Sequence, residues 1–158
     1  MTKSIVELDK LTWPEIRERL KETDIAIIPV GSTEQHGLHL PVNNDTFVAY
    51  NLAKRVAEIV AEDIKAVIVP PIPYGYTGLA YPGCISLSVD TLIEVYKQVA
   101  KSLIRGGFKK IVFVNGHGGN VNPLERAIQE VNNETGALVC LVQYWQTGWE
   151  VIWNNLET

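Results

Sequence analysis

The chain has 158 residues, of which 46% are hydrophobic and 20% are charged, and its formal net charge is −4 at pH 7. This size and composition predict one soluble globular domain with a substantial core. A weakly negative chain without a basic cluster argues against binding to nucleic acid or to an anionic membrane. The charged N-terminus lacks the apolar run of a signal peptide, and no stretch approaches the roughly 20 apolar residues of a membrane span. We therefore expect a cytoplasmic protein.

The predicted elements alternate between helical patterns and short apolar runs. The runs are rich in β-branched residues on both faces, which is typical of strands that helices cover on both sides. In chain order we predict a helix at 12–20, a strand at 25–30, a helix at 45–63, a strand at 66–70, a helix at 90–107, a strand at 110–115, a helix at 123–134 and a strand at 137–142.

Local signals support these helices. Thr12 and Glu15 have the spacing of a capping box, and Asp90 is predicted to cap the third helix. Two of the helices repeat apolar residues at helical spacing. These residues are Val48, Leu52, Val56 and Ile59 in the second helix, and Leu92, Val95, Tyr96, Val99 and Leu103 in the third.

The two cysteines, Cys84 and Cys140, lie far apart in the chain and form no C-x-x-C pair. Their surroundings are mostly apolar. We therefore predict two small core residues in a reducing compartment.

Alternating strands and helices predict an α/β fold: a three-layer α/β/α sandwich with a mainly parallel central sheet. In such sheets, ligands bind beyond the carboxyl ends of the strands. The unusual segments of this chain all follow strands. They are GSTEQHG, PIPYGYTG, NGHGGN and QYWQTG.

Two of these segments, together with the residues directly after GSTEQHG, contain the three histidines. Glu34 and His36 follow the first predicted strand, Asp45 starts the next helix, and His117 follows the third strand. Each has an ordinary alternative: Asp45 could be a helix N-cap, Glu34 a solvated loop acid, and His117 part of a tight turn. Their joint position at strand ends favours a metal site. His39, by contrast, suits a loop hydrogen bond or a pocket wall.

Imidazole and carboxylate ligands without cysteine suit Zn, Mn or Fe(II). A carboxylate can bridge two such ions about 3.5–4 Å apart, as in paired-metal hydrolases. The glycines around His117 would allow positive φ angles and a close approach of the backbone to a ligand. Their spacing differs from that of a phosphate-binding loop.

The segments LTWPEI, PVGSTEQHGLHLPVNND, YPGCISLS and VNGHGGN, in this order, resemble the creatininase (creatinine amidohydrolase) family. The resemblance covers nearly all of the chain. It implies the same sandwich fold in one domain over residues 1–158, two divalent metal ions and hydrolysis of a C–N bond in a small, cyclic or linear amide. It also implies a homo-oligomer, commonly a hexamer.

The resemblance further implies that Glu34 and His117 hold one metal, His36 a second, and that Asp45 bridges them. Creatininases proper have a glutamate ligand where this chain has Gly119. Family members with the G-H-G-G-N form supply a glutamate from a later H-A-G-E segment, which these 158 residues lack. We therefore expect a C-terminally incomplete domain, a ligand from a partner chain, or one well-bound metal.

The substrate is expected to differ from creatinine. Many relatives have a histidine before the aromatic-Pro-Gly and a threonine at the position of Cys84, whereas this chain reads LAYPGC. Hydrolytic opening of a cyclic ketone, such as a keto-inositol, stays an alternative to amide hydrolysis, and so does a non-catalytic metal-binding subunit. His39 and Tyr76 are weak candidates for the general acid. The predicted substrate-binding residues are Tyr81, Gly83, Cys84, Gly118, Gly119 and Trp145.

The tail of the chain adds aromatic side chains. Trp149 and Trp153 are four residues apart and would share a helix face. Packing in the core or between subunits is the more common role of such a pair. Trp145, just beyond the last strand, is the preferred pocket residue.

Overall fold

The computed structural model describes residues 5–148, Glu150 and Asn154. Five parallel strands form one sheet in the order β1-β3-β2-β4-β5. The four predicted strands are confirmed, and the edge strand β1 was not predicted because two residues carry no periodicity. The strands are β1 (Val6–Glu7), β2 (Ile25–Val30), β3 (Val67–Ile68), β4 (Lys110–Asn115) and β5 (Leu138–Gln143).

Helices connect the strands. The four predicted helices are confirmed, with ends that differ from the predictions by a few residues. They are α1 (Trp13–Arg19), α2 (Asn44–Ile59), α3 (Val89–Arg105) and α4 (Val121–Thr135), and the short α5 (Tyr144–Thr147) follows β5. In the part of the chain that the structure describes, no helix is long and apolar enough to cross a membrane.

The sheet separates two hydrophobic clusters. The larger cluster lies between the sheet and α3 and α4, with Phe113, Leu92 and Leu124 among its buried members. The smaller one lies under α2 and includes Ile27 and Val114. Helices therefore pack on both faces, and the predicted α/β sandwich is confirmed.

Helix α2 packs on the sheet through small residues. Ala49, Ala53 and Ala57 are buried, whereas Val56 and Ile59 are exposed. The prediction that Val56 and Ile59 belong to the buried face of α2 is therefore wrong, and the alanines form the centre of that face. Alanine side chains let the helix axis come close to the sheet, which leaves the larger apolar side chains at the margin. In α3 the predicted face is confirmed, with Leu92 and Tyr96 fully buried.

Of the two predicted helix caps, one is confirmed and the other is wrong. The capping box of Thr12 and Glu15 is present. Helix α3 is capped by Ser88, whose hydroxyl accepts a hydrogen bond from the Thr91 amide at 3.2 Å, so Asp90 lies inside the first turn. The N-cap of α2 is Asn43, and Asp45 is not a cap. The Asp45 carboxylate is therefore free for another role.

The prediction that both cysteines lie in the core is wrong. Cys84 is half-buried and Cys140 is exposed. Cys140 lies on the edge strand β5, on the same face as the exposed Leu138. Helix α2 packs over β2 and β4 rather than over this edge strand.

Candidate metal centre

The site forms at the carboxyl ends of the two central strands. Val30 and Asn115 are the last paired residues of β2 and β4, and the Gly116 amide donates to the Val30 carbonyl at 2.8 Å. The chain then leaves β2 toward Glu34 and leaves β4 toward His117. Two segments that are distant in the sequence are thus brought side by side, as predicted from the parallel sheet.

The first turn of α2 reaches the same edge because Gly116 has no side chain. A Cβ at this position would lie 2.3 Å from the carbonyl oxygen of Asp45 and 3.1 Å from the Cβ of Ala49. Contacts this short are not tolerated between real atoms. The glycine therefore allows α2 to approach β4 and places the Asp45 carboxylate between the two loops, where it is 95% buried.

Glu34, Asp45 and His117 bring their ligand atoms within 4.8 Å of one another. Oδ2 of Asp45 lies 3.0 Å from Nδ1 of His117, and Oε1 of Glu34 lies 3.4 Å from the same nitrogen. The other oxygen of Asp45, Oδ1, lies 2.7 Å from Nε2 of His36. Asp45 thus presents one oxygen to each histidine, which is the arrangement of a bridging carboxylate.

Backbone carbonyls orient both imidazole rings. Nε2 of His117 lies 2.8 Å from the carbonyl oxygen of Tyr76. Nδ1 of His36 lies 3.2 Å from the carbonyl oxygen of Glu34. A carbonyl oxygen can only accept, so with a cation bound each ring would hold its proton on the nitrogen at the carbonyl and turn the lone pair of the other nitrogen toward Asp45. Metal-binding histidines usually have such a hydrogen bond on the nitrogen away from the ion.

The pKa of His117 is raised above its ordinary value. Burial alone would lower this pKa, but the Asp45 carboxylate beside Nδ1, the Tyr76 carbonyl at Nε2 and the charge of Glu34 together outweigh burial. The surroundings therefore favour a positive charge at this point, which a proton or a metal cation can supply.

The chemistry of the site fits a divalent cation. Oε2 of Glu34 and Oδ2 of Asp45 are buried and have no hydrogen-bond partner of acceptable geometry among the described residues. Buried carboxylate oxygens are costly unless a donor or a cation satisfies them. Nitrogen and oxygen ligands of this kind suit Zn, Mn or Fe. Within the described residues, a second ion beside His36 would share Asp45 and have no further carboxylate.

By family resemblance, creatininases proper have a glutamate at the position that Gly119 occupies in this chain. A Cβ here would lie 2.0 Å from the carbonyl oxygen of Tyr76 and 2.6 Å from Nε2 of His117. Any side chain would displace the Tyr76 carbonyl from the imidazole. The local backbone of this chain is thus built for glycine at position 119.

The predicted catalytic and substrate-binding residues lie on the loops around the site. His39 is exposed on the loop between His36 and α2, and the Tyr76 side chain is 44% exposed while its carbonyl contacts His117. Tyr81 is exposed, and Gly83 has a φ of 88°.

Cys84 contacts the metal-binding loop rather than open space. Its Sγ accepts a hydrogen bond from the Gln35 amide at 3.4 Å, between Glu34 and His36 in the chain. The Ile85 amide donates to the Thr33 carbonyl at 2.9 Å on the other side. The 84–85 segment thus holds the loop that carries two predicted ligands.

Trp145 is half-buried and its ring lies edge-on to Tyr144, with centroids 5.1 Å apart. Burial and the charge of Asp45 raise the pKa of Tyr144, which places this phenol within the electrostatic reach of the site. Trp149 and Trp153 lie outside the described residues.

Sequence reasoning missed the buried asparagines of NGHGGN. Asn115 accepts from the His117 amide at 3.0 Å and donates to the His117 carbonyl at 2.8 Å, while Asn120 is fully buried nearby. The motif could have indicated their role, because a buried asparagine at the end of a strand needs hydrogen-bond partners in the neighbouring backbone. The expected positive φ angles are absent from this motif: the described glycines with positive φ are Gly37, Gly83, Gly107 and Gly136.

Comparisons with known proteins place this geometry in a family. The sequence model of the creatininase family, creatinine amidohydrolase, matches residues 9–157. The chain is similar to the 3-dehydro-scyllo-inosose hydrolase of Thermotoga maritima, with 39% identity over 116 residues, which are 72% of this chain and 36% of that protein. It is also similar to the creatinine amidohydrolase of Pseudomonas putida, with 32% identity over 159 aligned positions, covering 92% of this chain and 59% of that protein.

Solved structures show the same fold. A creatininase structure with Mn superimposes with a TM-score of 0.82 at 29% identity, covering 90% of this chain and 60% of that one. A creatininase variant of Zn–Zn type superimposes with a TM-score of 0.84 at 26% identity, covering 98% and 66%. The chain thus spans between about a third and two thirds of the length of these proteins.

Proposed function

Because the chain belongs to the creatininase family, we propose that it is a metal-dependent hydrolase that cleaves a C–N bond next to the carbonyl of a small, cyclic amide. One observation carries the proposal: Glu34, Asp45 and His117 come from separate segments, yet their ligand atoms lie within 4.8 Å of one another. Such a cluster of buried carboxylates and imidazole at the ligand-binding edge of a parallel sheet is the expected form of a catalytic metal site.

Each side chain has a proposed role. Glu34 and His117 would hold the first ion, His36 would hold the second, and Asp45, whose two oxygens face the two histidines, would be shared between them. We propose Zn, Mn or Fe as the native metal. Divalent ions bound here would activate water and polarise the carbonyl of the substrate.

The leaving nitrogen needs a proton, and we assign its delivery to Tyr76 rather than to His39. Tyr76 belongs to the loop whose backbone contacts His117, whereas His39 lies on the exposed loop that precedes α2. Tyr76→Phe should then lower kcat by about 100-fold or more with little change in KM. Tyr74→Phe, two residues away on the same loop, is the control. Full activity of Tyr76→Phe would return the role to His39 or to another group.

A second candidate reaction is the hydrolytic opening of a cyclic ketone. The observation in its favour is the 39% identity to an inosose hydrolase over 116 residues. The same ligands would polarise a ring ketone as well as an amide. Metal-loaded protein should be tested against lactams, formamides and keto-cyclitols in parallel. Turnover of lactams or formamides alone supports amide hydrolysis, and turnover of keto-cyclitols alone replaces it with ring opening.

A non-catalytic metal-binding subunit is the third candidate. Its support is Gly119, which provides no carboxylate for the ion beside His36. Elemental analysis of the purified chain would test it, together with the substrate screen. Two ions per chain with turnover would exclude this candidate, whereas one ion per chain without turnover would favour it over the enzyme.

We also propose that the chain assembles with copies of itself, as a hexamer by family resemblance, and acts on a small-molecule substrate. Large apolar side chains are exposed around the metal-binding loop, including Leu38, Leu40 and Phe47. Surface of this kind is typical of subunit contacts. Light scattering coupled to size-exclusion chromatography should give a multiple of the chain mass, and Leu38→Asp should reduce it. A single-chain mass at micromolar concentration would contradict self-association. A cytoplasmic location stays a prediction.

A further inference from the structure

Asn120 joins three loops at the metal-binding edge of the sheet. Its side chain is fully buried at the start of α4. Nδ2 donates to the carbonyl of Gly31 at 2.9 Å, directly after β2, and Oδ1 accepts from the amide of Tyr76 at 3.2 Å. The single side chain therefore fixes the loop after β4 to the loop after β2 and to the loop after β3.

The backbone of Tyr76 connects Asn120 to His117. Its amide is held by Asn120, and its carbonyl oxygen, from the next peptide unit of the same residue, accepts from Nε2 of His117 at 2.8 Å. With a cation bound, this hydrogen bond would hold the ring proton on Nε2. The lone pair of Nδ1 then points toward Asp45 and Glu34, where a cation would lie.

Asn115 performs a different task from Asn120. It binds the amide and the carbonyl of His117 itself, and so it restrains the backbone of the residue. The ring could still rotate about χ2 or change tautomer. The Tyr76 carbonyl at Nε2 acts together with the carboxylate oxygens at Nδ1 to determine which ring nitrogen faces Asp45 and Glu34.

We propose that Asn120 is a positioning residue that acts through the Tyr76 peptide to hold His117 with Nδ1 free for the metal ion. This inference rests on the proposed metal site and deepens it. Gly119 is part of the same device, because a Cβ there would lie 2.0 Å from the Tyr76 carbonyl oxygen and would push it off the imidazole. The position of the proposed ligand His117 thus depends on the buried side-chain amide of Asn120, which is not itself a proposed metal ligand.

Asn120→Ala and Gly119→Ala test this proposal from two sides. The first removes both side-chain hydrogen bonds in the core, and the second displaces the Tyr76 carbonyl from a half-exposed turn. Asn132→Ala is the matched control. Asn132 lies in the same helix and also makes two hydrogen bonds with backbone, to the amide and the carbonyl of Val139 at 2.8 and 2.9 Å, remote from the site.

Two readouts separate positioning from a general loss of stability. Long-range proton–nitrogen NMR of the metal-free protein at alkaline pH reports the tautomer of each histidine. We expect a single tautomer of His117 in the wild type and in Asn132→Ala, and a mixture in the two test variants. Titration with Co²⁺, followed by its visible absorption, should show affinity about 10–100-fold weaker in the test variants and unchanged in the control.

The proposal is overturned if Asn120→Ala, folded by circular dichroism, keeps a single tautomer and wild-type Co²⁺ affinity. If Asn120→Ala does not fold, Asn120→Ser, which shortens the side chain but keeps a polar atom, decides on the same criteria. Failure of the wild type to bind Co²⁺ would instead refute the proposed metal function, and the tautomer of the metal-free protein would still decide the role of Asn120.

Discussion

Asp45 is the residue on which both halves of the metal centre depend. It is 95% buried, and its two oxygens face Nε2 of His36 and Nδ1 of His117 at 2.7 and 3.0 Å. The sequence allowed it to be either a helix cap or a ligand. The structure removes the first alternative, because Asn43 occupies the N-cap and the carboxylate turns inward.

Asp45→Asn should abolish most metal binding, because the amide keeps the size of the side chain but loses its negative charge. We expect Zn²⁺ or Mn²⁺ affinity to fall by about 100-fold or more, since even changes outside the ligand set cost about 10–100-fold. Isothermal titration of the metal-free protein measures the loss. Asp90→Asn, in the first turn of α3, is the matched control and should bind metal normally. Equal affinities of the two variants would contradict the ligand role of Asp45.

The raised pKa of His117 predicts how the stability of the metal-free protein depends on pH. A pKa that is higher in the folded than in the unfolded state means that protonated His117 stabilises the fold. This contribution is complete below the unfolded pKa of about 6.5 and is lost as pH rises through the folded pKa.

Melting temperatures in chelator should show this loss when the wild type is compared with His117→Gln. The advantage of the wild type should be largest in mild acid and should shrink with rising pH. Bound metal should reverse the trend, because the ion competes with the proton for Nδ1. A wild-type advantage that stays constant or grows with pH in chelator would contradict the assignment.

At the scale of elements, the sheet was predictable and the contacts of α2 were not. Runs such as 25–30 and 110–115 are mostly apolar and rich in β-branched residues, which is typical of buried strands. In α2 the hydrophobic pattern pointed to Val56 and Ile59, whereas the buried apolar residues are alanines such as Ala53. Side-chain volume at the helix–sheet contact decided this, and periodicity does not encode volume.

Gly116→Ala tests the close packing between α2 and the loop after β4. A Cβ there would meet the backbone of Asp45 at 2.3 Å, so the start of α2 must shift away from the sheet. We expect the free energy of unfolding to fall by about 1–3 kcal/mol. Metal affinity should fall with it, because the shift moves the Asp45 carboxylate away from His117.

Gly118→Ala is the control for this variant, since nothing lies within 4 Å of a Cβ at that position. It should be neutral or stabilising by up to about 1 kcal/mol. Urea unfolding and metal titration of both variants measure the contrast. Similar behaviour of the two alanine variants would show that the approach of α2 does not depend on Gly116.

At the scale of the whole molecule, the position of the site followed from the sheet topology. The residues that contact the proposed metal ligands could not be predicted from the sequence. Parallel strands brought Glu34 and His117 to one edge, as expected. Tyr76 contributes a backbone carbonyl, which is independent of its residue type, and Asn120 acts on a loop 44 residues away. Sequence patterns name the side chains that carry chemistry, but they do not show which loops a parallel sheet will place in contact.

The central claim is that this chain holds a divalent cation between Glu34, Asp45 and His117. Elemental analysis after loading with Zn²⁺ or Mn²⁺ and removal of free metal tests it most directly, with His117→Ala and His39→Ala measured alongside. We predict at least one tightly held ion per chain in the wild type and in His39→Ala, and a clear loss in His117→Ala. A wild type without bound metal, or a His117→Ala variant with the full wild-type content, would contradict the account.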